Sequence, residues 1–199
     1  MRDFFNLYSH GFARLAVATP LVRVGDPQYN LDATVALMRE AAREKAVLAV
    51  FPELGLSGYT CDDLFHQQAL IDAAEEALSL LLKQTKNLPL AALVGLPVAV
   101  DGLLYNCAAL VHQGRLAGVV PKTYLPNYRE FYEGRQFTPG DTARQTEIVL
   151  AGQRAPFGAD LIFRCTPRSA RTSGCRRRPP PTPPSPGRRS WPTCRRRTW

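Results

Sequence analysis

The chain has 199 residues, of which 45% are hydrophobic, and a formal net charge of +8. This length and apolar fraction support a domain with a buried core, and they exclude a peptide-like or wholly disordered protein. The positive charge lies at one end only. Residues 1–163 carry 14 basic and all 17 acidic side chains, whereas residues 164–199 carry 11 arginines, no lysine and no acid.

Residues 164–199 have the composition of a tail that does not fold. They contain no Leu, Ile, Val, Met or Phe, but they hold eight of the 17 prolines and three of the five cysteines. Such a segment buries too little apolar surface to offset the entropy lost on ordering. We therefore expect a globular part at 1–163 and a disordered, Arg- and Pro-rich tail at 164–199.

The cysteines and the N-terminus indicate the compartment. Only Cys61 and Cys107 fall in the globular part, and their spacing fits neither a disulfide framework nor a zinc site. The N-terminal residues lack the apolar core of a signal peptide, and no stretch approaches the ~20 apolar residues that span a bilayer. We expect a cytoplasmic protein without a bound metal and without membrane contact.

Hydrophobic periodicity predicts strands alternating with helices, followed mainly by strands. Asp26 and Pro27 are typical of a helix start, and Gln113-Gly114 predicts a hairpin turn between two strands. In chain order, we expect a strand at 12–18, a helix from Asp26-Pro27, a strand at 46–51, a helix from Asp62 or Asp63 to about Lys86, strands at 90–100, 103–112 and 115–121, an aromatic loop at 122–140, and short strands at 147–151 and 159–163.

Two charged residues end predicted strands. Glu53 follows the buried strand at 46–51, and Lys122 follows the second strand of the predicted hairpin. Open sheets build their sites at the ends of strands, and the loop after Lys122 is rich in aromatic side chains that suit a pocket. Glu53 and Lys122 are therefore candidate site residues, and we expect their side chains to face one cleft.

Four ordered segments resemble the nitrilase, or carbon–nitrogen hydrolase, superfamily. The segment KTYLPNYREFYE at 122–133 is similar to the N-terminal glutaminase domain of bacterial glutamine-dependent NAD(+) synthetases. The resemblance covers roughly residues 5–163. The segments are GDPQYNLD at 25–32, FPELGLSGY at 51–59, LYNCAALVHQGRLAGVVPKTYLPNYREFYEGRQFTPGD at 104–141 and FGADLIF at 157–163.

The resemblance implies an α/β fold, namely a nitrilase-like α-β-β-α four-layer sandwich that is incomplete at its C-terminus. It implies that Glu53 is the general base, that Lys122 stabilises the oxyanion, and that a cysteine attacks the side-chain amide of glutamine and releases ammonia. Tyr128 matches a residue that lines the glutamine pocket. Either Glu130 or Glu133 is expected to orient Lys122, and the sequence does not choose between them.

The cysteine that the resemblance requires is absent from the matching position. Cys165 precedes Thr-Pro and Cys175 lies in SGCRRR, so neither has the surroundings that lower a thiol pKa. Permitted codons for the tail encode HAEICEDLWVP in another frame, which resembles the family's nucleophile strand. We interpret the tail as out of frame and the chain as truncated, and we expect it to be inactive.

Two other functions fit the sequence. A free-standing amidase or N-carbamoyl hydrolase would keep the superfamily and change the substrate. An Arg-rich tail that binds nucleic acid or an anionic surface ranks lower, because the globular part is acidic. The resemblance further implies that this part needs no cofactor, that ATP and Mg²⁺ belong to a separate synthetase part, and that the intact family protein is a homo-oligomer.

Overall fold

The computed structural model describes residues 6–165 and 172–177. Its helices are α1 (Pro27–Arg43), α2 (Gln68–Gln84) and α3 (Glu133–Gln136). Its strands are β1 (Leu15–Val17), β2 (Leu48–Val50), β3 (Ala91–Val100), β4 (Leu103–His112), β5 (Arg115–Pro121), β6 (Glu147–Leu150), β7 (Gln153–Pro156), β8 (Leu161–Cys165) and β9 (Thr172–Arg177). Short 3-10 turns lie at Leu7–His10, Asp62–His66 and Gly140–Thr142.

A five-stranded sheet in the order β1-β2-β3-β4-β5 forms the centre of the described fold. The strands β1, β2 and β3 are parallel, because α1 and α2 return the chain to the same end of the sheet between them. β4 runs antiparallel to both β3 and β5. The C-terminal ends of β2 and β5 therefore lie at the same end of the sheet.

Two-residue turns join β3 to β4 and β4 to β5. Both central residues of each turn have a positive φ, 51° and 76° at Asp101-Gly102 and 49° and 75° at Gln113-Gly114. This backbone matches the twist of paired strands, and glycine adopts it without steric cost. The hairpin predicted at Gln113-Gly114 is confirmed, and the structure adds the pairing of β3 with β4.

The two long helices, α1 and α2, pack against one face of the sheet. Asp26 accepts a hydrogen bond from the Tyr29 amide at 3.0 Å and Pro27 occupies the first turn, so α1 begins as the sequence predicts. Both helices bury their apolar faces in the main core with alternate residues of the strands. This core includes Leu31, Val35, Met38, Ala49, Leu78, Leu81, Ala92, Val94 and Ala109.

Several predicted bounds differ from the structure. α2 does not begin at Asp62 or Asp63, because Asp62 has a φ of +46° and starts a 3-10 turn. β1 spans only Leu15–Val17, the middle of the predicted strand at 12–18. The predicted strand at 147–151 is the first half of a hairpin, since Ala151 and Gly152, with φ values of 51° and 71°, turn the chain back into β7.

One strand lies in the segment for which composition predicts disorder. β9 pairs antiparallel with β8, with Phe163 opposite Cys175. Strand pairing joins backbone groups, so an arginine-rich composition does not by itself prevent it. Residues 166–171 and 178–199 lie outside the described residues, and the prediction of disorder for them stays a prediction. Within the described part of the chain, no helix is long and apolar enough to cross a membrane.

Candidate active site

Glu53 lies in a tight turn that follows β2. The next residue, Leu54, is fully buried and has a φ of +51°. The turn packs directly on β3 at Gly95, where an added Cβ would lie 2.4 Å from the Leu54 amide nitrogen and 2.6 Å from the Pro52 carbonyl oxygen. Only a residue without a side chain allows this approach, so Gly95 sets the distance between β3 and the turn that carries Glu53.

Lys122 is the first residue after β5, and backbone hydrogen bonds hold it on both sides. Its amide donates to the Asn106 carbonyl at 2.8 Å, and its carbonyl accepts from the Gly140 amide at 2.8 Å. The side chain projects from a fixed backbone, so the direction of its ammonium group is restricted.

The Lys122 ammonium joins two carboxylates. Nζ lies 2.6 Å from Oε1 of Glu53 and 2.8 Å from Oε1 of Glu133. Glu53 and Lys122 also line one cleft of about 300 Å³. The bottom of the cleft is the sheet face opposite α1 and α2, and it includes Val50, Leu93 and Val120. The prediction that Glu53 and Lys122 face one cleft is confirmed.

The surroundings of Lys122 keep it charged. Partial burial on its own lowers the pKa of the ammonium group, but the hydrogen bonds and negative charges of Glu133 and Glu53 outweigh that effect. The net result is a raised pKa. A lysine held in this state is a fixed cation and a poor nucleophile.

The structure separates the two candidate glutamates. Glu133, the first residue of α3, is 5% exposed and contacts Lys122, whereas Glu130 is exposed in the loop before it. Oε2 of Glu133 is buried without a hydrogen-bond partner in the described part of the chain. Glu133, and not Glu130, is therefore the acid of this loop that contacts the Lys122 ammonium.

Tyr128 lies on the same loop but does not join this network. Its side chain is 63% exposed, and its ring meets Phe131 edge to face at a centroid distance of 5.9 Å. The ring is accessible to a ligand, and its predicted place in a glutamine pocket stays a prediction.

Two further residues complete the cluster, and the sequence analysis missed both. The Tyr59 hydroxyl donates to Oε1 of Glu133 at 2.6 Å, and the Asn106 side-chain amide donates to Oε1 of Glu53. Burial and the charge of Glu133 raise the pKa of Tyr59, so its hydroxyl stays protonated. The signal for Asn106 was a polar residue in the interior of β4, whose other buried polar residue, His112, ends the strand. Tyr59 had no signal beyond its place in the turn after Glu53.

The two cysteines of the globular part are not set up as nucleophiles. Burial raises the pKa of both Cys61 and Cys107. Cys107 lies in the main core and Cys61 donates to the Ser57 carbonyl. Cys165 and Cys175 belong to the paired strands β8 and β9. A buried thiol with a raised pKa is a structural group.

The described residues also contain no group of three or more His, Cys, Asp or Glu side chains that could hold a metal ion. The carboxylates of the cluster meet a lysine instead of each other. At the mouth of the apolar cleft, a carboxylate and a fixed ammonium group are in direct contact.

Comparison with known proteins places this arrangement in a family. A carbon–nitrogen hydrolase family model matches residues 14–163. The glutamine-dependent NAD(+) synthetase of Mycobacterium tuberculosis is 44% identical over 161 residues, which cover 81% of this chain and 24% of that protein. The chain spans about a quarter of the length of the curated relatives it matches.

Solved structures give the same fold. A glutamine-dependent NAD(+) synthetase from Cytophaga hutchinsonii aligns with a TM-score of 0.70 and 26% identity, covering 77% of this chain and 26% of that one. An amidase from a Nesterenkonia species aligns with a TM-score of 0.55 and 25% identity, covering 71% of this chain and 53% of that one. The α/β arrangement of sheet and helices is nitrilase-like.

Proposed function

The chain belongs to the carbon–nitrogen hydrolase family, and we propose that its globular part carries the Glu–Lys half of a glutamine amidohydrolase site that supplies ammonia for NAD(+) synthesis. One observation carries the proposal. The Lys122 ammonium lies between Glu53 and Glu133 at 2.6 Å and 2.8 Å, at the edge of an apolar cleft. The similarity to NAD(+) synthetases supports glutamine as the substrate.

In this proposal, the two charged groups have separate tasks. Glu53 takes the proton of an attacking thiol, and Lys122 stabilises the negative charge that develops on the carbonyl oxygen. The thiolate sulfur bonds to the amide carbon, Glu53 gives the proton to the amide nitrogen, and the carbon–nitrogen bond breaks, so ammonia leaves and a thioester remains. Water then cleaves the thioester to glutamate. The raised pKa of Lys122 supports its part, because a cation is needed throughout.

The attacking thiol is the group that the globular part does not supply. Cys61 and Cys107 are buried with raised pKa values, which leaves the cysteines from Cys165 onward. None of these stands in a sequence context that lowers a thiol pKa. We therefore expect the chain to bind glutamine at the cleft without hydrolysing it.

Binding is tested by saturation-transfer NMR with glutamine on the full chain. We expect a glutamine signal that Lys122→Met abolishes and Tyr128→Ala weakens. Tyr124→Ala is the matched control, since Tyr124 is an exposed tyrosine of the same loop, and it should leave the signal unchanged. No signal in the unmodified chain would contradict the proposal.

Turnover is tested separately by measuring ammonia. The chain should release no more ammonia from glutamine than its Glu53→Ala variant, because loss of a covalent nucleophile removes most of the rate. Turnover that Cys175→Ala abolishes would instead place the nucleophile in the tail and disprove the frameshift interpretation.

A second candidate function is that of a free-standing amidase, which the likeness to the Nesterenkonia amidase favours. The same NMR experiment separates the two functions. Acetamide or an N-carbamoyl amino acid that binds as strongly as glutamine would favour the amidase, because the site would then not be selective for glutamine.

A further inference from the structure

Glu53, the candidate base, accepts a hydrogen bond from a residue outside the two loops that carry Glu53 and Lys122. Asn106 lies within β4 and is buried, with 3% of its surface exposed. Its side-chain amide donates to Oε1 of Glu53, while its main-chain carbonyl accepts the amide of Lys122 at 2.8 Å. One residue thus contacts both Glu53 and Lys122.

An asparagine is a poor choice for a purely structural position here. Apart from His112 at its end, β4 is lined by apolar and aromatic residues, such as Tyr105 and Cys107 on either side, and asparagine is depleted in strands. A buried amide also costs free energy unless it is hydrogen-bonded. A leucine of similar size would fill this position, but it would lack the donor that meets Glu53.

Both hydrogen bonds to the Glu53 carboxylate are made to one of its two oxygens. Asn106 and Lys122 donate to the same oxygen of Glu53, Oε1. Two donors on Oε1 fix the rotation of the carboxylate, since both bonds are made to the same oxygen. The second oxygen, Oε2, is then the one placed to accept a proton, and the Glu53 side chain is 41% exposed toward solvent.

We propose that Asn106 is a positioning residue that orients Glu53, so that Oε2 acts as the base while Lys122 is anchored through the Asn106 backbone. The proposal rests on the proposed role of Glu53 as base. It deepens that role by assigning the second donor on the carboxylate, and it extends the site to the interior of the sheet.

The test is a crystal structure of the Asn106→Leu variant of the full chain, compared with that of the unmodified chain. Asn106→Leu removes the donor but leaves the backbone bond to Lys122 in place. The Glu53 carboxylate should adopt more than one rotation, because one of the two hydrogen bonds to Oε1 is lost. A carboxylate that keeps the rotation of the unmodified chain would overturn the proposal.

The matched control is Gln145→Leu. Gln145 donates its side-chain amide to the carboxylate of Asp101 at 2.6 Å in an exposed turn, so this variant removes the same kind of bond elsewhere. The Glu53 carboxylate should keep its rotation in this variant. The Lys122 backbone amide signal reports in both variants whether β4 and β5 remain paired.

A second measurement decides the question if Asn106→Leu does not fold. In the Glu53→Gln variant, the Asn106 side-chain amide NMR signals should move from their positions in the unmodified chain, because the bond is then made to a neutral group. Amide signals that stay in place would overturn the proposal. Neither measurement involves glutamine, so a failure here is distinct from a failure of the chain to bind glutamine.

Discussion

At the residue scale, the site depends on one cation with two acidic neighbours. Glu133 is almost fully buried, and its charge is offset by Lys122 and the Tyr59 hydroxyl. A buried carboxylate that loses its cation remains without charge compensation, which costs more than the loss of an ion pair in water. The contacts that hold the Lys122 ammonium in place therefore also stabilise the fold.

We expect Lys122→Met to lower the free energy of unfolding by about 3 kcal/mol, measured by urea denaturation, since it leaves Glu133 buried and unpaired. Adding Glu133→Gln to this variant should recover part of the lost free energy of unfolding, because it removes the buried charge that has no cation. Arg135→Met is the control, as the ion pair of Arg135 with Asp63 is exposed on both sides and should contribute less than about 1 kcal/mol. Equal losses in the two single variants would contradict this account.

At the element scale, three backbone contacts bring the loops that carry Glu53 and Lys122 to one end of the sheet. The turn after β2 rests on Gly95 of β3, and the start of the loop after β5 is held by Asn106 of β4 and by Gly140. An added Cβ at Gly140 would lie 2.5 Å from the Pro121 carbonyl oxygen. The loops are thus positioned by close backbone approach to the strands.

Gly95→Ala should displace the turn that carries Glu53. Its Cβ would overlap the backbone of Pro52 and Leu54, and overpacking of this kind typically costs about 1–3 kcal/mol. We expect a lower melting temperature and loss of the glutamine signal in the NMR experiment. Gly134→Ala is the control, because its Cβ would meet nothing closer than 3.7 Å. Retention of full stability in Gly95→Ala would show that the turn is not fixed by this contact.

At the scale of the whole molecule, the sheet has an open edge. β1 pairs with β2 on one side and ends the described sheet on the other. The strand and the segment beside it expose large apolar side chains, among them Phe12, Leu15, Val17 and Leu21. An unpaired edge with exposed apolar residues favours association with other chains.

We therefore expect the chain to associate and to be poorly soluble. Val17, which is 82% exposed on β1, is the position to test. Val17→Lys should reduce association, measured by light scattering, because a charge on an edge strand opposes pairing. Leu103→Lys, an exposed leucine at the start of β4, should have little effect. An unmodified chain that is monomeric and melts cooperatively at ~45 to 65 °C would contradict this prediction.

The sequence by itself determined the fold class, most elements and the two candidate residues at the strand ends. Apolar periodicity and the Asp26-Pro27 cap indicated the helices and buried strands, because local patterns report which faces are buried. The motifs around Glu53 and Lys122 indicated the family. These features are local in the chain, so no knowledge of the folded structure was needed to find them.

Only the tertiary structure decided how the site is assembled. It chose Glu133 over Glu130, because burial and the distance to Lys122 depend on how α3 packs. It added Tyr59 and Asn106, which are separated from their partners by 74 and 53 positions along the chain. It also showed that Asp62 starts a 3-10 turn and that Thr172–Arg177 pairs with β8. Contacts of this kind come from pairing and packing between distant segments, which local sequence patterns do not encode.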